Sequence, residues 1–138
     1  MSFELHQQLA ADCFEVGDLP LCHVLLANDA RYPWFILVPR RVAIKEIHQL
    51  GADDRQQLWL ESDWFSHQLE QLFSPDKLNI ASLGNMVPQL HVHHIARFKT
   101  DDAWPAPVWG KFPAQPYEDN AEKRIEQIRA KLVLFPAI

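Results

Sequence analysis

With 138 residues, the chain has room for one sizeable core and not for two, so residues 1–138 are expected to form a single domain. Its 13 Lys+Arg stand against 18 Asp+Glu for a formal charge of -5, and no long basic run offers the electrostatic footprint of a nucleic-acid or anionic-lipid binder. Cys13 and Cys22 are too few for a disulfide scaffold and lack metal-ligand spacing, which leaves reduced packing thiols and a cytoplasmic protein as the expectation.

Residues 2–11 read as a short helix capped by Ser2, with Leu5 and Leu9 on one face and Phe3 beside them. No cationic lead into an apolar stretch marks a secretion signal there. Gly17-Asp18-Leu19-Pro20 is turn chemistry between two apolar segments, so Cys13–Val16 and Leu21–Ala27 are expected to form a hairpin. A polar loop from Asn28 to Pro33 leads into Trp34-Phe35-Ile36-Leu37-Val38, a dense central strand stopped by Pro39. The apolar runs are strand length, far short of the ~20 residues that a membrane helix needs.

The period then changes. Asp53 or Asp54 is placed to cap a long helix whose stripe runs through Leu58, Phe65, Leu69 and Leu72, widened by Trp64 and Phe73 and ended by Ser74-Pro75-Asp76. Leu78–Ser82 reads as a strand, and Gly84-Asn85 begins a turn into Gln89-Leu90-His91-Val92-His93-His94-Ile95-Ala96-Arg97. The prolines of Asp101–Gly110 rule out helix or interior strand, so that segment is expected to be an ordered loop whose tryptophans cover a surface of this subunit or a partner. Glu118–Leu132 reads as a final helix with Ile125, Ile128 and Leu132 inward. Strands, a long helix, strands and a C-terminal helix imply an α+β fold around an antiparallel sheet of about five strands.

Alternation along the histidine strand puts Gln89, His91, His93 and Arg97 on one face, and Leu90, Val92, His94 and Ala96 on the other. His94 is therefore expected to serve packing. Three readings fit His91 and His93. They form part of a metal site, although Asp101, Asp102 and Gln89 are poor further ligands. Alternatively, one is a nucleophile toward phosphorus, with His93, Gln89, Asn85 and the backbone after Gly84 supplying donors without metal. The third reading is two hydrogen-bonded histidines of a half-buried strand.

These residues resemble the motif of the histidine triad (HIT) family, in which three histidines alternate with apolar residues. Gln89 takes the first histidine position, as in a bacterial-type branch, with His91 the second and His93 the third. Gly84-Asn85-Met86-Val87 is similar to the family's Gly-Gln-Ser/Thr-Val, Asn79 matches an amide on the preceding strand, and Phe35–Arg40 resembles its strand ending in Pro-Lys. The resemblance implies a HIT-like fold and a hydrolase or transferase that needs neither metal nor cofactor. Such an enzyme cleaves at the α-phosphate of a nucleotide conjugate, such as a diadenosine polyphosphate or nucleoside phosphoramidate, through a covalent nucleotidyl-His91.

By the same resemblance Gln89 and His93 join His91 as catalytic residues, while Asn79 and Asn85 hold or orient phosphate oxygens. Asn28 or Asp29 takes the ribose, and Trp104-Pro105 reaches toward the site of a homodimer partner. Gln89 holds no titrating proton, Met86 replaces a hydroxyl residue, and Trp34 and Val42 stand where some branches place histidines. A nucleotide-binding module without turnover and a metal-binding domain therefore remain alternatives.

Overall fold

A computed structural model describes residues 2–136. Strands β1 (Cys13–Asp18), β2 (Cys22–Ala27), β3 (Trp34–Pro39), β4 (Lys77–Ala81) and β5 (Val92–Arg97) form one sheet in the order β1-β2-β3-β5-β4. Every neighbouring pair is antiparallel. Helix α1 (Gln7–Asp12) precedes the sheet, the long α2 (Ala52–Phe73) joins β3 to β4, and α3 (Ala121–Leu132) follows β5. This is the α+β architecture expected from the sequence.

The two-residue period divides the strands between two covered faces. On one, Val24, Leu26, Phe35, Leu37 and Val92 pack with residues of α2 and α3, among them Phe65, Leu69, Ile125 and Ile128. On the other, Leu25, Ala27, Ile36 and Val38 meet Leu9 and Val87, with Phe3 and Leu5 against them. Cover on both faces explains why β2 and β3 read as nearly continuous apolar runs. Among the described residues no helix is long and apolar enough to cross a membrane.

Several boundaries differ from expectation, each for a local reason. Helix α1 starts at Gln7 and is capped by His6, whose Nδ1 accepts the Gln8 N–H at 3.0 Å. Ser2 lies outside the helix because Phe3 and Leu5 are taken up by packing on the sheet. Gly17 and Asp18 belong to β1, not to the turn, and a bulge between Glu15 and Gly17 leaves Val16 out of register. The Val16 carbonyl accepts Arg129 Nε–H of α3 at 2.8 Å. A Cβ at Gly17 would sit 2.8 Å from Leu132 Cδ1, so the glycine permits the close approach of α3.

Gly51 caps α2, with Asp53 and Asp54 in its first turn where the helix dipole favours them. Strand β4 begins one residue earlier than expected, and α3 starts only after Asn120. Regular pairing in β5 begins at Val92, so Gln89 to His91 form its lead-in.

The hairpin turn is held from α2 by Glu61, which is fully buried. Its carboxylate accepts the N–H groups of Leu21 at 2.7 Å and Cys22 at 2.9 Å, and Gln57 Nε2–H at 2.7 Å. Glu61→Ala leaves the two backbone donors without a partner and is expected to cost about 3 kcal/mol in urea unfolding. Glu61→Gln retains one acceptor and should lose roughly half as much.

Candidate functional site

Strand β5 lies between β3 and β4, and its register sets His93 opposite Ile36 and Ala81, and His94 opposite Phe35 and Ile80. Alternation then sends the two neighbouring histidines to opposite faces. His94 enters the α2 side and is completely buried. Its Nδ1 lies 3.1 Å from the Val92 carbonyl, which can only accept, so Nδ1 carries the hydrogen. Nε2 is then the acceptor for the Ser62 hydroxyl at 2.7 Å. Burial pushes His94 down to about 4, against the Val92 bond that opposes the shift. It is a core histidine, as its parity implied.

His91 and His93 turn to the other face, 6% and 7% exposed, with ring centroids 5.0 Å apart edge to face. Nδ1 of His91 lies 2.7 Å from the Gln89 carbonyl. That nitrogen is the donor, and the neutral ring keeps its lone pair on Nε2. His93 has the opposite arrangement. Its Nδ1 lies 2.9 Å from Trp34 Nε1, and an indole nitrogen only donates, so Nδ1 accepts and Nε2 bears the hydrogen. Burial foremost, then His91 and His94, pushes His93 down to about 3. Its ring sits between Trp34 and Trp109, at 5.7 and 5.1 Å. In these tautomers the two rings offer one bare nitrogen and one N–H side by side.

Both open on a cavity of about 670 Å³. Leu9, Asp12 and Cys13 form one wall, the turn Gly84-Asn85-Met86-Val87 another, and Trp109, Ala114 and Pro116 a third. Gly84 has φ +81 and its Cβ position lies 3.3 Å from the Val87 carbonyl oxygen, a conformation that favours glycine. Among the described residues that line it there is no Lys or Arg, whereas Asp12 and Asp29 are present. The Cys13 thiol is pushed up to about 12 by burial and by Asp12, which leaves it protonated and a poor nucleophile. Among the described residues no group of three or more His, Cys, Asp or Glu is arranged to hold a metal ion.

Of the residues singled out in the sequence, His91, His93, Asn85, Asn28 and Asp29 line this cavity. Asn28 Oδ1 accepts the Tyr117 N–H at 2.9 Å and Asp29 Oδ1 the Gln115 N–H at 3.4 Å, so both also hold the third wall. Gln89, Asn79 and Trp104 do not line it. Gln89 faces the N-terminal segment, where a shallow groove also contains Val42. Asn79 Oδ1 accepts Arg97 Nη1–H at 2.8 Å. Arg97 is buried and grips Asp101 through two hydrogen bonds of 2.8 and 3.1 Å, and a third goes to the Ala106 carbonyl at 2.9 Å. Trp104 lies over that guanidinium at 5.7 Å.

The proline-rich loop packs on this subunit's own sheet, and its Trp109 lines the cavity of the same subunit. Sequence reasoning missed Trp109, Trp34, Asp12 and Cys13 as lining residues. For Trp34 the signal was present in its shared parity with Ile36 along β3. For Trp109 the signal was a loop tryptophan in need of a surface, and which surface it covers depends on the Arg97 anchor of that loop.

A model of the HIT domain matches residues 8–100. The fold aligns with a histidine triad protein from Bradyrhizobium japonicum at 42% identity and a TM-score of 0.89, over 98% of each chain. A histidine triad protein from Marinobacter aquaeolei is 49% identical, with a TM-score of 0.87 over 98% of this chain and 96% of that one. One from Sinorhizobium meliloti is 40% identical, with a TM-score of 0.87 over 97% of each. No curated protein matches.

Two outcomes are expected from the histidine chemistry. Wild-type His93 should show only the Nε2–H tautomer in 15N NMR between about pH 5 and 8, whereas Trp34→Phe should give a tautomer mixture. Stability should also fall on acidification. Below the unfolded value of about 6.5 the unfolded chain binds protons on His93 and His94 that the folded chain refuses, so ΔG drops as pH falls, until folded His94 titrates near 4 and His93 near 3. Between pH 7 and pH 5 the loss is expected to reach about 2–4 kcal/mol in urea unfolding, and about half of that in His94→Gln.

Proposed function

The chain belongs to the HIT domain family, and from that premise we propose that it is a nucleotide hydrolase or nucleotidyl transferase acting at the α-phosphate of a nucleotide conjugate. The observation that carries the reading is the complementary pair of tautomers on His91 and His93. His91 Nε2 has the lone pair needed to attack phosphorus. As the new N–P bond forms, the bond from phosphorus to the leaving group breaks, and the leaving group departs with the electron pair and takes a proton from solvent water. The positive charge that develops on His91 is met through Nδ1–H by the Gln89 carbonyl. Water, giving up a proton to solvent, or another acceptor then attacks phosphorus, and the N–P bond breaks with its electron pair returning to His91 Nε2.

His93 serves as a neutral donor from Nε2–H to a non-bridging oxygen. Protonating it would sacrifice the Trp34 hydrogen bond, so it is not the group that passes a proton to the leaving atom. Asn85 on the glycine turn supplies a further donor, and Asn28 and Asp29, which also line the cavity, take ribose hydroxyls. Trp109 borders the reacting pair. We assign Gln89 to the first triad position and see no proton chemistry for it.

The absence of Lys and Arg from the lining supports a substrate of low phosphate charge. A nucleoside phosphoramidate fits better than a diadenosine polyphosphate. The same reading has the protein act in the cytoplasm as a homodimer, with the exposed Ile80 on edge strand β4 available for an extended sheet. A binding module without turnover is the second reading, favoured by the lack of a titrating side chain at Gln89.

Intact mass of protein quenched during reaction with an adenosine phosphoramidate is expected to show an adenylyl adduct that His91→Ala lacks. Absence of any adduct or turnover, together with AMP binding, would establish the module instead. For the enzyme, kcat/KM on the phosphoramidate should exceed that on diadenosine tetraphosphate by about tenfold or more, a difference of about 1.4 kcal/mol in transition-state binding.

A further inference from the structure

The Gln89 amide is bound on both sides. Its Oε1 accepts the His6 N–H at 2.8 Å, and its Nε2 donates to the Glu4 carbonyl at 2.9 Å. Its own backbone carbonyl, meanwhile, accepts Nδ1–H of His91 at 2.7 Å. We propose that Gln89 is a positioning residue that ties the N-terminal wall of the cavity to the backbone that orients His91. The proposal rests on the nucleotide reading only for the binding arm of its test.

The chemistry of the side chain suits this task. A carboxamide presents an acceptor and a donor on one carbon, matched here to an N–H and a C=O two residues apart in the N-terminal segment. A carboxylate lacks the donor. An imidazole carries its two nitrogens on diverging vectors and cannot address both groups in the same way.

The tied segment leads directly into α1, and Leu9, Asp12 and Cys13 beyond it line the cavity. At six residues α1 is too short to be stable by itself. Phe3, Leu5 and Leu9 meet Leu25, Ile36, Val38 and Val87 through apolar contacts, and the far end of α1 is fixed where the Asp12 carbonyl accepts the Asn28 N–H at 3.0 Å. The apolar contacts hold the segment down without fixing its register, because burial is non-directional. At the near end the amide provides the direction. Gln89 thereby fixes, without a titrating proton, the near end of this wall relative to His91, while the Asn28–Asp12 backbone bond fixes its far end.

The test uses the full chain with Gln89→Ala and Gln89→Glu, the second retaining the acceptor for His6 but facing the Glu4 carbonyl with a carboxylate. Hydrogen exchange at residues 6–12 is expected to quicken about tenfold or more in both variants, while β5 keeps its wild-type protection. With an adenosine phosphoramidate, KM should rise about tenfold while kcat falls less than about threefold, and AMP binding should weaken in parallel with KM.

Unchanged exchange in both variants overturns the proposal. So does a loss of kcat of about a hundredfold at constant KM with a displaced pH–rate profile, which would put Gln89 at the reacting atoms. The exchange measurement needs no nucleotide, so a protein that fails to bind AMP refutes the nucleotide reading and leaves the tether to be decided by exchange alone.

Discussion

Everything chemical in this molecule depends on the alternation of β5 inside the sheet. A strand with partners on both sides cannot rotate, and hydrogen bonds on each face fix which histidine goes where. Ser62 holds His94 from the α2 side and Trp34 holds His93 from the cavity side. A slip by one residue would exchange these environments, placing His94 in the cavity and forcing His93 into the core. Two directional contacts on opposite faces make that slip costly in a way that apolar packing alone would not.

Along the odd-numbered face the strand does three things in succession. Gln89 meets the N-terminal segment, His91 and His93 meet the cavity, and Arg97 meets the proline-rich loop through Asp101 and Ala106. Burial alone would raise Asp101, but the Arg97 guanidinium and the N–H groups of Phe98 and Trp104 outweigh it and hold the carboxyl below its ordinary value. Breaking that pair would strand a charge in the interior, which is far more costly than never having built it. The cavity therefore sits between two anchored flanks. Its polar groups are neutral near His93, where dry surroundings strengthen each hydrogen bond and penalise each added charge.

Much of this was legible in the residues themselves. The split of His93 from His94 follows from a period of two, and the long helix from Leu58, Phe65 and Leu69 at helical spacing. The hairpin was legible in its existence but not its boundaries. Gly17 looked like turn chemistry, yet it is a strand glycine that admits Leu132 from a helix more than a hundred residues later. The destination of a polar side chain was the least legible. Gln89, Asn79 and Arg97 share parity with the histidines, and parity says which face a side chain occupies but not what else is packed there. Gln89 finds its partners at residues 4–6, and Arg97 finds its own at residues 101–106 and at Asn79 on the neighbouring strand; no local pattern encodes those encounters.

The placement of Trp34 and Trp109 against His93 has an optical consequence. Of the chain's five tryptophans, these two border the cavity within ring-contact distance of the histidine and of each other, the indoles being 5.8 Å apart. An imidazole and a second indole at such range alter the excited state of a tryptophan. The strongly exposed Trp59 sits far from this arrangement on α2. Two of the protein's own fluorophores thus border the cavity, and a group entering it would change their emission against the background of the other three.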